Sequence, residues 1–201
     1  MTVRGHLVLF VRAPSWGVGK RRLARDIGDA ASLRFERAML GLLTRRLGHD
    51  KRWRLRLAVT PDRARRRTRL WPPGVVIAAQ GEGDLGRRMR RALGACPPGP
   101  AVLVGSDIPA LAAHHIADAF RLLGHHDLVF GPAGDGGFWL IGARSCPRPP
   151  PLFGPVRWSG PHALADVLSN LRPRVSVGFA ARLDDVDDGP SYRRLAPRRG
   201  F

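Results

Sequence analysis

A chain of 201 residues with 44% hydrophobic and 25% charged residues is sized and composed for a soluble globular fold of about one domain, and no run nears the roughly 18 apolar residues of a transmembrane helix. The formal net charge of +18 is carried almost wholly by arginine, since Lys20 and Lys51 are the only lysines, and with abundant Ala, Gly and Pro this is the bias of a GC-rich genome. No helix-turn-helix, zinc finger or RNP-type aromatic motif accompanies the charge, which argues against nucleic acid and for anionic ligands such as nucleotides and sugar phosphates.

The N-terminal MTVRGHLVLFVRAP sets a basic residue before an apolar run, but the run is short, is broken by Arg12 and lacks a small-residue cleavage site. HLVLFV (6–11) therefore reads as a buried strand ending at Ala13-Pro14, and the protein as cytoplasmic. Phe35, Ala38, Met39, Leu42 and Leu43 recur at helical spacing and predict an amphipathic helix closed near Gly48. RLRLAVT (54–60) and VVIAA (75–79) predict strands, and RRMRRALGA (87–95) a helix stopped by Pro97-Pro98. AVLVG (101–105) is a strand ending at Ser106-Asp107, after which Pro109 fixes a turn and starts the helix expected from Ala112 to Leu123. LVF (128–130) and FWLIGA (138–143) follow as strands; the second comes too soon after the first for a crossover helix, so it is expected to run antiparallel or to pair elsewhere. CPRPPP (146–151) predicts an exposed connection, Pro161 to Leu171 a helix, RVSVGF (174–179) a last strand, and the residues after Asp188 a short helix with a frayed end.

This alternation implies one α/β domain over 1–201, with a short tail from about 189 and a mostly parallel sheet flanked by helices. Ligands of such sheets bind beyond the carboxyl ends of the strands, here at Ala13–Leu23, Gly81–Gly86, Ser106–Pro109 and Gly131–Gly137. Cys96 and Cys146 share no metal-ligand spacing and read as free thiols of a reducing compartment. His114-His115 and His125-His126 are adjacent pairs whose side chains diverge, which suits a helix surface rather than a zinc site.

SWGVGKRRL (15–23) suggests a phosphate loop, yet Pro14 stands where a Walker A motif needs its first glycine and Arg21 where it needs a hydroxyl. A glycine-containing loop entering a helix can still hold phosphate through backbone N–H groups, with Lys20 as a point charge; the alternative is a plain turn with a surface lysine. GEGDLG (81–86) is a literal G-x-G-x-x-G between a strand and a helix, with Asp107 ending the next strand, which is the case for a dinucleotide site. Against it, the motif is not in the first βα unit. Asp107 in GSDIPAL is equally placed to bind a hard divalent cation bridging to a diphosphate, and LDDVDD (183–188) offers further carboxylates around an inward Val186 unless it is only a solvated acidic turn. In FGPAGDGGFWLIG, glycines crowd Asp135; because glycine inside an ordered element costs roughly 0.5–1 kcal/mol, the cluster marks either a tight turn or a close approach to the backbone.

The ordered set LVLFVRAP, GVGKRRLA, GDLGRRM, VLVGSDIPAL, FGPAGDGGFWLIG, VRWSG and LDDVDD resembles the small bacterial GT-A-like transferases called radical-SAM/selenodomain-associated, named as glycosyltransferases partly in an arsenosugar context. That family is similar in fold to nucleotidyltransferases such as the 2-phospholactate guanylyltransferases. The resemblance spans nearly the whole chain. It implies a GT-A-like nucleotide-diphospho-sugar transferase fold with Mg²⁺ or Mn²⁺ on Asp107 and, from the terminal D-[VI]-D pattern of Asp185 and Asp187, on Asp187. It implies donor contacts from Ala13, Pro14, Gly17, Lys20, Gly83, Asp84, Gly86 and Ser106, with Gly136, Gly137, Phe138 and Trp158 on the acceptor side. Asp135 and Lys20 would assist catalysis, Asp135 as general base or as a partner of sugar hydroxyls. The chain departs from the family at Trp16 for proline, Arg21 for threonine, Phe138 for tyrosine and Gly160 for threonine. The expected activity is metal-dependent glycosyl transfer from a nucleotide-diphosphate donor to a small-molecule acceptor. Its alternatives are nucleotidyl transfer from a nucleoside triphosphate on the same fold, and a non-catalytic nucleotide- or nucleic-acid-binding protein.

Overall fold

The computed structural model describes residues 5–150 and 154–195. Its centre is a seven-stranded sheet in the order β3-β2-β1-β4-β6-β5-β7. The strands are β1 (Gly5–Arg12), β2 (Trp53–Thr60), β3 (Val76–Ala79), β4 (Gly99–Gly105), β5 (Leu128–Pro132), β6 (Phe138–Cys146) and β7 (Val177–Phe179). β1 runs parallel to β2 and β4, β2 parallel to β3 and β5 parallel to β7. β6 is antiparallel to both β4 and β5, as its short connection requires.

Parallel strands covered on both faces need near-continuous apolar side chains, and HLVLFV supplies them after His6. Leu7, Leu9 and Val11 point to one face and Val8 to the other, each almost fully buried. The first face is covered by helices α1 (Arg21–Ile27), α2 (Asp29–Gly48) and α4 (Ala113–Leu122) through Leu23, Leu43, Leu47 and Ile116. The second is covered by α3 (Leu85–Gly94) and α5 (Ala163–Ser169) through Met89, Leu93 and Val167. A last helix, α6 (Gly189–Arg193), is opened by Asp188, whose carboxylate accepts from the Ser191 N–H at 2.8 Å.

Several expectations shift. The helix read from Phe35 begins at Asp29, and Gly28, with φ of 85°, separates it from the additional helix α1. Pro109 lies in a turn ahead of α4, which starts at Ala113. β6 continues to a buried Cys146, which pairs with Gly99 of β4, so the expected exposed connection starts only at Pro147; residues 151–153 fall outside the described residues. The last strand is cut to Val177–Phe179, where it finds β5, and α5 is shorter than 161–171. The end of the tail, from 196, lies outside the described residues. No helix among the described residues is long and apolar enough to cross a membrane.

Candidate active site

The carboxyl ends of β1, β2, β3 and β4 and the start of β6 open onto a cleft of about 620 Å³ lined by Arg12, Lys20, Gln80, Ser106, Asp107 and Asp187 among others. Asp107 leaves β4 two residues past its end. The returning segment 183–188 is tied to the sheet edge by Leu183 N–H donating to the Pro132 carbonyl at 3.3 Å and Val186 N–H donating to the Asp107 carbonyl at 3.0 Å. Val186 is buried, so the acids flanking it in sequence turn to the opposite side. They converge there: carboxylate oxygens of Asp107, Asp185 and Asp187 all lie within 4.8 Å of one another, each residue partly exposed.

Lys20 reaches into this group. Its Nζ is 2.5 Å from Asp107 Oδ2 and 2.6 Å from Asp187 Oδ1, with the ammonium side chain only 14% exposed. The loop before it is braced by Glu36, whose carboxylate accepts the Lys20 N–H at 3.2 Å and fills the space a side chain at Gly19 would need. Burial alone would lower the Lys20 pKa, but Asp107 and Asp187 outweigh it and hold the pKa above its ordinary value. For Asp185 the balance tips the other way: burial, then the charges of Asp107 and Asp187, outweigh the lowering effect of Lys20 and push its carboxyl up to about 6. Burial likewise raises Glu36. Three hard oxygen donors around a position already visited by a cation fit Mg²⁺ or Mn²⁺.

Beside the acids lies a recess of about 190 Å³ bordered by Asp107, Asp135, Asp185, Phe138 and Trp158. Asp135 is exposed, and its Oδ1 accepts the Gly137 N–H at 2.9 Å, forming the turn that the glycines permit. Its charge is one of those raising Asp185. Phe138 meets Trp158 edge to face at 6.4 Å.

The remaining sequence candidates sit as follows. Ser106 and Gly137 border the two cavities. Gly17, with φ of 66°, lines a smaller recess on the far side of Lys20. Ala13 is buried in the core, its N–H on the Thr60 carbonyl at 2.7 Å, and Pro14 borders a shallow basic recess with Arg37 and Arg66. Gly83, Asp84 and Gly86 stay off the cleft wall: Asp84 caps α3 by accepting the Arg87 N–H at 2.8 Å, and Gly86 is buried inside that helix. The α3 face that does border the cleft is Leu85, Arg88 and Met89, spaced i, i+3, i+4. Gly136 faces the chain rather than the cavity, its carbonyl accepting the Leu164 N–H at 3.1 Å. Sequence reasoning passed over Arg12, Gln80 and Arg88; the available signal was a polar residue directly after the VVIAA strand and the i, i+3, i+4 spacing of α3.

No curated protein matches the sequence. Among solved structures, the chain superposes on a candidate nucleotide-diphospho-sugar transferase from Desulfovibrio desulfuricans G20 with a TM-score of 0.86 and 28% identity, covering 96% of this chain and 86% of that one. Rv0371C of Mycobacterium tuberculosis H37Rv in complex with manganese gives a TM-score of 0.56 at 17% identity over 98% of this chain and 100% of that one. The 4-diphosphocytidyl-2C-methyl-D-erythritol synthase of Anaerococcus prevotii DSM 20548 gives 0.59 at 8% identity over 94% and 96%. The architecture is thus that of the nucleotide-diphospho-sugar transferase fold. Residues 43–160 match the family described as an uncharacterized protein conserved in bacteria, DUF2064, and the chain belongs to that family.

Proposed function

We propose that this chain is a cytoplasmic, metal-dependent transferase, acting as one domain over residues 1–201, that moves a sugar from a nucleotide-diphosphate donor to a small-molecule acceptor. The observation carrying the reading is the convergence of Asp107, Asp185 and Asp187, with Lys20, in the cleft at the strand ends. The likeness to a candidate nucleotide-diphospho-sugar transferase and to a manganese-bound neighbour supports it.

Asp107, Asp185 and Asp187 would hold Mg²⁺ or Mn²⁺, which when bound supplies Lewis-acid stabilisation of a diphosphate leaving group. Lys20 adds a positive charge at the same place, in a site largely screened from water where such charge counts most. Ser106 and the Gly19–Lys20 backbone border the space for the donor phosphates. Phe138 and Trp158 form an apolar wall against which the acceptor lies, and Asp135, on the rim of that recess, accepts the proton of the attacking hydroxyl or orients it. The arsenosugar context of the sequence resemblance makes that class of acceptor the first to try.

Nucleotidyl transfer is the second reading, favoured by the likeness to the 4-diphosphocytidyl-2C-methyl-D-erythritol synthase; the same acids and Lys20 would then serve a triphosphate. The deciding experiment is a thermal-shift panel of UDP-sugars, GDP-sugars, GTP and CTP with Mn²⁺, Mg²⁺ or EDTA. A ligand at ~100 times its Kd adds roughly 2.7 kcal/mol. A metal-dependent shift with one nucleotide sugar supports glycosyl transfer, a shift with triphosphates alone supports nucleotidyl transfer, and nucleotide binding indifferent to EDTA and to Asp107→Asn would leave a binding protein in place of an enzyme.

A further inference from the structure

Arg88 is a cation without a counter-ion on the cleft wall. It projects from α3 on the same face as Leu85 and Met89. Gln80 prepares its position: fully buried, it donates both amide hydrogens to backbone carbonyls, of Val11 at 3.1 Å and Ala58 at 2.8 Å, so its Oε1 can only face outward, where it accepts from Arg88 Nη2. The Phe10 ring lies beneath the guanidinium at 5.7 Å. Arg88 Nε is buried without any hydrogen-bond partner. Among the described residues no carboxylate forms an ion pair with Arg88. Asp62, whose charge favours the Arg88 cation, accepts the Gly81 N–H at 3.0 Å, while Arg12 and Arg91 oppose it with like charge. Burial first, and then Arg12, push the Arg88 pKa downward.

Arg91 is engaged elsewhere, on the carbonyls of Gln80 and Glu82 at 2.6 and 3.1 Å. Arg12 has no such engagement: it ends β1 exposed and lines the same cleft. A half-buried guanidinium whose buried Nε–H is idle, with a second cation beside it, is unfavourable in the free protein, because a buried donor left unmade costs its full desolvation. A planar oxyanion acceptor removes that cost and matches the guanidinium fork. By strand order, Gln80 lies past the end of β3 on one side of β1, and Asp107 past β4 on the other; α3 itself packs on β4 and β6, but the Arg88 head reaches to Gln80 and over Phe10 of β1.

We propose that Arg88, oriented by Gln80 and assisted by Arg12, forms an oxyanion subsite for a phosphate-type group, set apart within the cleft from the carboxylate cluster. The inference rests on the cleft being the ligand site but not on which transfer occurs there. A substrate filling the whole cleft carries a phosphoryl or carboxylate group at this end. The source is either the donor nucleotide or an anionic acceptor.

The test is binding of inorganic phosphate and pyrophosphate to the full chain in EDTA and low salt, by calorimetry and thermal shift. Wild type should bind, and Arg88→Met should bind about tenfold or more weakly, in line with the strength of charged hydrogen bonds. Arg88→Lys, which keeps the charge but not the fork, should lose several-fold. Arg90→Met, on the exposed side of α3, should bind as wild type does; an equal loss there would mean general attraction by the basic surface and would overturn the subsite. Ligand-free Arg88→Lys, which keeps a donor for the buried Gln80 Oε1, should melt within about 2 °C of wild type while losing phosphate affinity, whereas a purely structural arginine would lose Tm and affinity together. If Arg88→Met does not fold, or if Arg88→Lys binds as well as wild type, the proposal falls. Competition assigns the source: displacement of phosphate by nucleoside monophosphates points to the donor, and displacement by hexose phosphates to the acceptor. Phosphate failing to bind while Mn²⁺-dependent nucleotide binding persists would sink this subsite and leave the proposed transferase standing.

Discussion

The Lys20 ammonium stands 2.5 Å from Asp107 Oδ2, at the place where the donor chemistry of the cleft calls for a cation. Without a metal, Lys20 partly neutralises Asp107 and Asp187. Because the Lys20 pKa is raised, this stabilisation is complete below the ordinary lysine value of 10.5 and is lost only as the pH rises through the higher folded value. Lys20→Met should therefore lower the Tm of the metal-free protein at neutral pH. Losing a half-buried pair at about 1–2 kcal/mol corresponds to roughly 2–8 °C for a chain of this size. The same variant should show a larger Mn²⁺-induced shift than wild type, because no ammonium competes for the acids. A smaller shift would mean that Lys20 supports the metal rather than standing in for it.

Asp185 titrates in the opposite sense. Burial and its two acidic neighbours raise its carboxyl to about 6, above the ordinary 3.8, so the fold favours the proton. The metal-free protein should gain stability from this group as the pH falls from 7 towards 4, and lose it as the pH rises through about 6. Asp185→Asn imitates the protonated form. It should raise the metal-free Tm at pH 7 by about 2–4 °C, taking about 1 kcal/mol after solvent screening, and flatten this part of the pH profile while weakening Mn²⁺ binding. Thermal melts between pH 4 and 8 in EDTA check it, and an unchanged profile would remove Asp185 as its source.

Val186 touches no ligand, yet it sets the spacing of two acids. Its buried side chain and its N–H bond to the Asp107 carbonyl fix the segment that carries Asp185 and Asp187. Val186→Ala should cost roughly 1–3 kcal/mol in the melt and weaken Mn²⁺ binding several-fold with all three carboxylates intact. Full metal affinity in a destabilised variant would show that the acids are held by something else.

The sheet was legible because its strands are unbroken apolar runs with turn residues at their ends, and the antiparallel β6 followed from chain length alone. The place of Asp107 just past a buried strand was legible in the same way, whereas Asp187 was singled out through the D-[VI]-D pattern of the family resemblance. What the sequence hid was direction. LDDVDD reads either as further carboxylates for a cation or as a solvated acidic turn around an inward valine, and only the backbone bond from Val186 to Asp107 reveals that the side carrying Asp185 and Asp187 is the cleft. GEGDLG misled for a related reason: its glycines and Asp84 serve the start of α3, where Asp84 is consumed as a cap, and the cleft receives the next turn of the helix instead. Arg88 was hidden among Arg87–Arg91 because a run of like residues gives no sign of which one faces inward.

The glycines around Asp135 invite a last test, since a turn beneath a substrate and a close approach of chain to chain make different demands on them. Gly136 has φ of 84°, and a Cβ there would run into the backbone of Pro161, which cannot yield as a side chain could. Gly137 is different: a Cβ would lie 3.0 Å from Asp135 Oδ1, the end of a rotatable side chain, in a backbone conformation open to other residues. Gly136→Ala should therefore cost at least the roughly 1–3 kcal/mol of a strained backbone position, lowering the Tm by several degrees and loosening the segment that carries Trp158. Gly137→Ala should leave the Tm within about 2 °C, consistent with a site of small stability effect, and act instead on acceptor-dependent turnover through the displaced Asp135. Equal melts for the two variants would show that the cluster exists for the turn alone, and a Gly137→Ala enzyme with unaltered acceptor KM would remove Asp135 from the acceptor side.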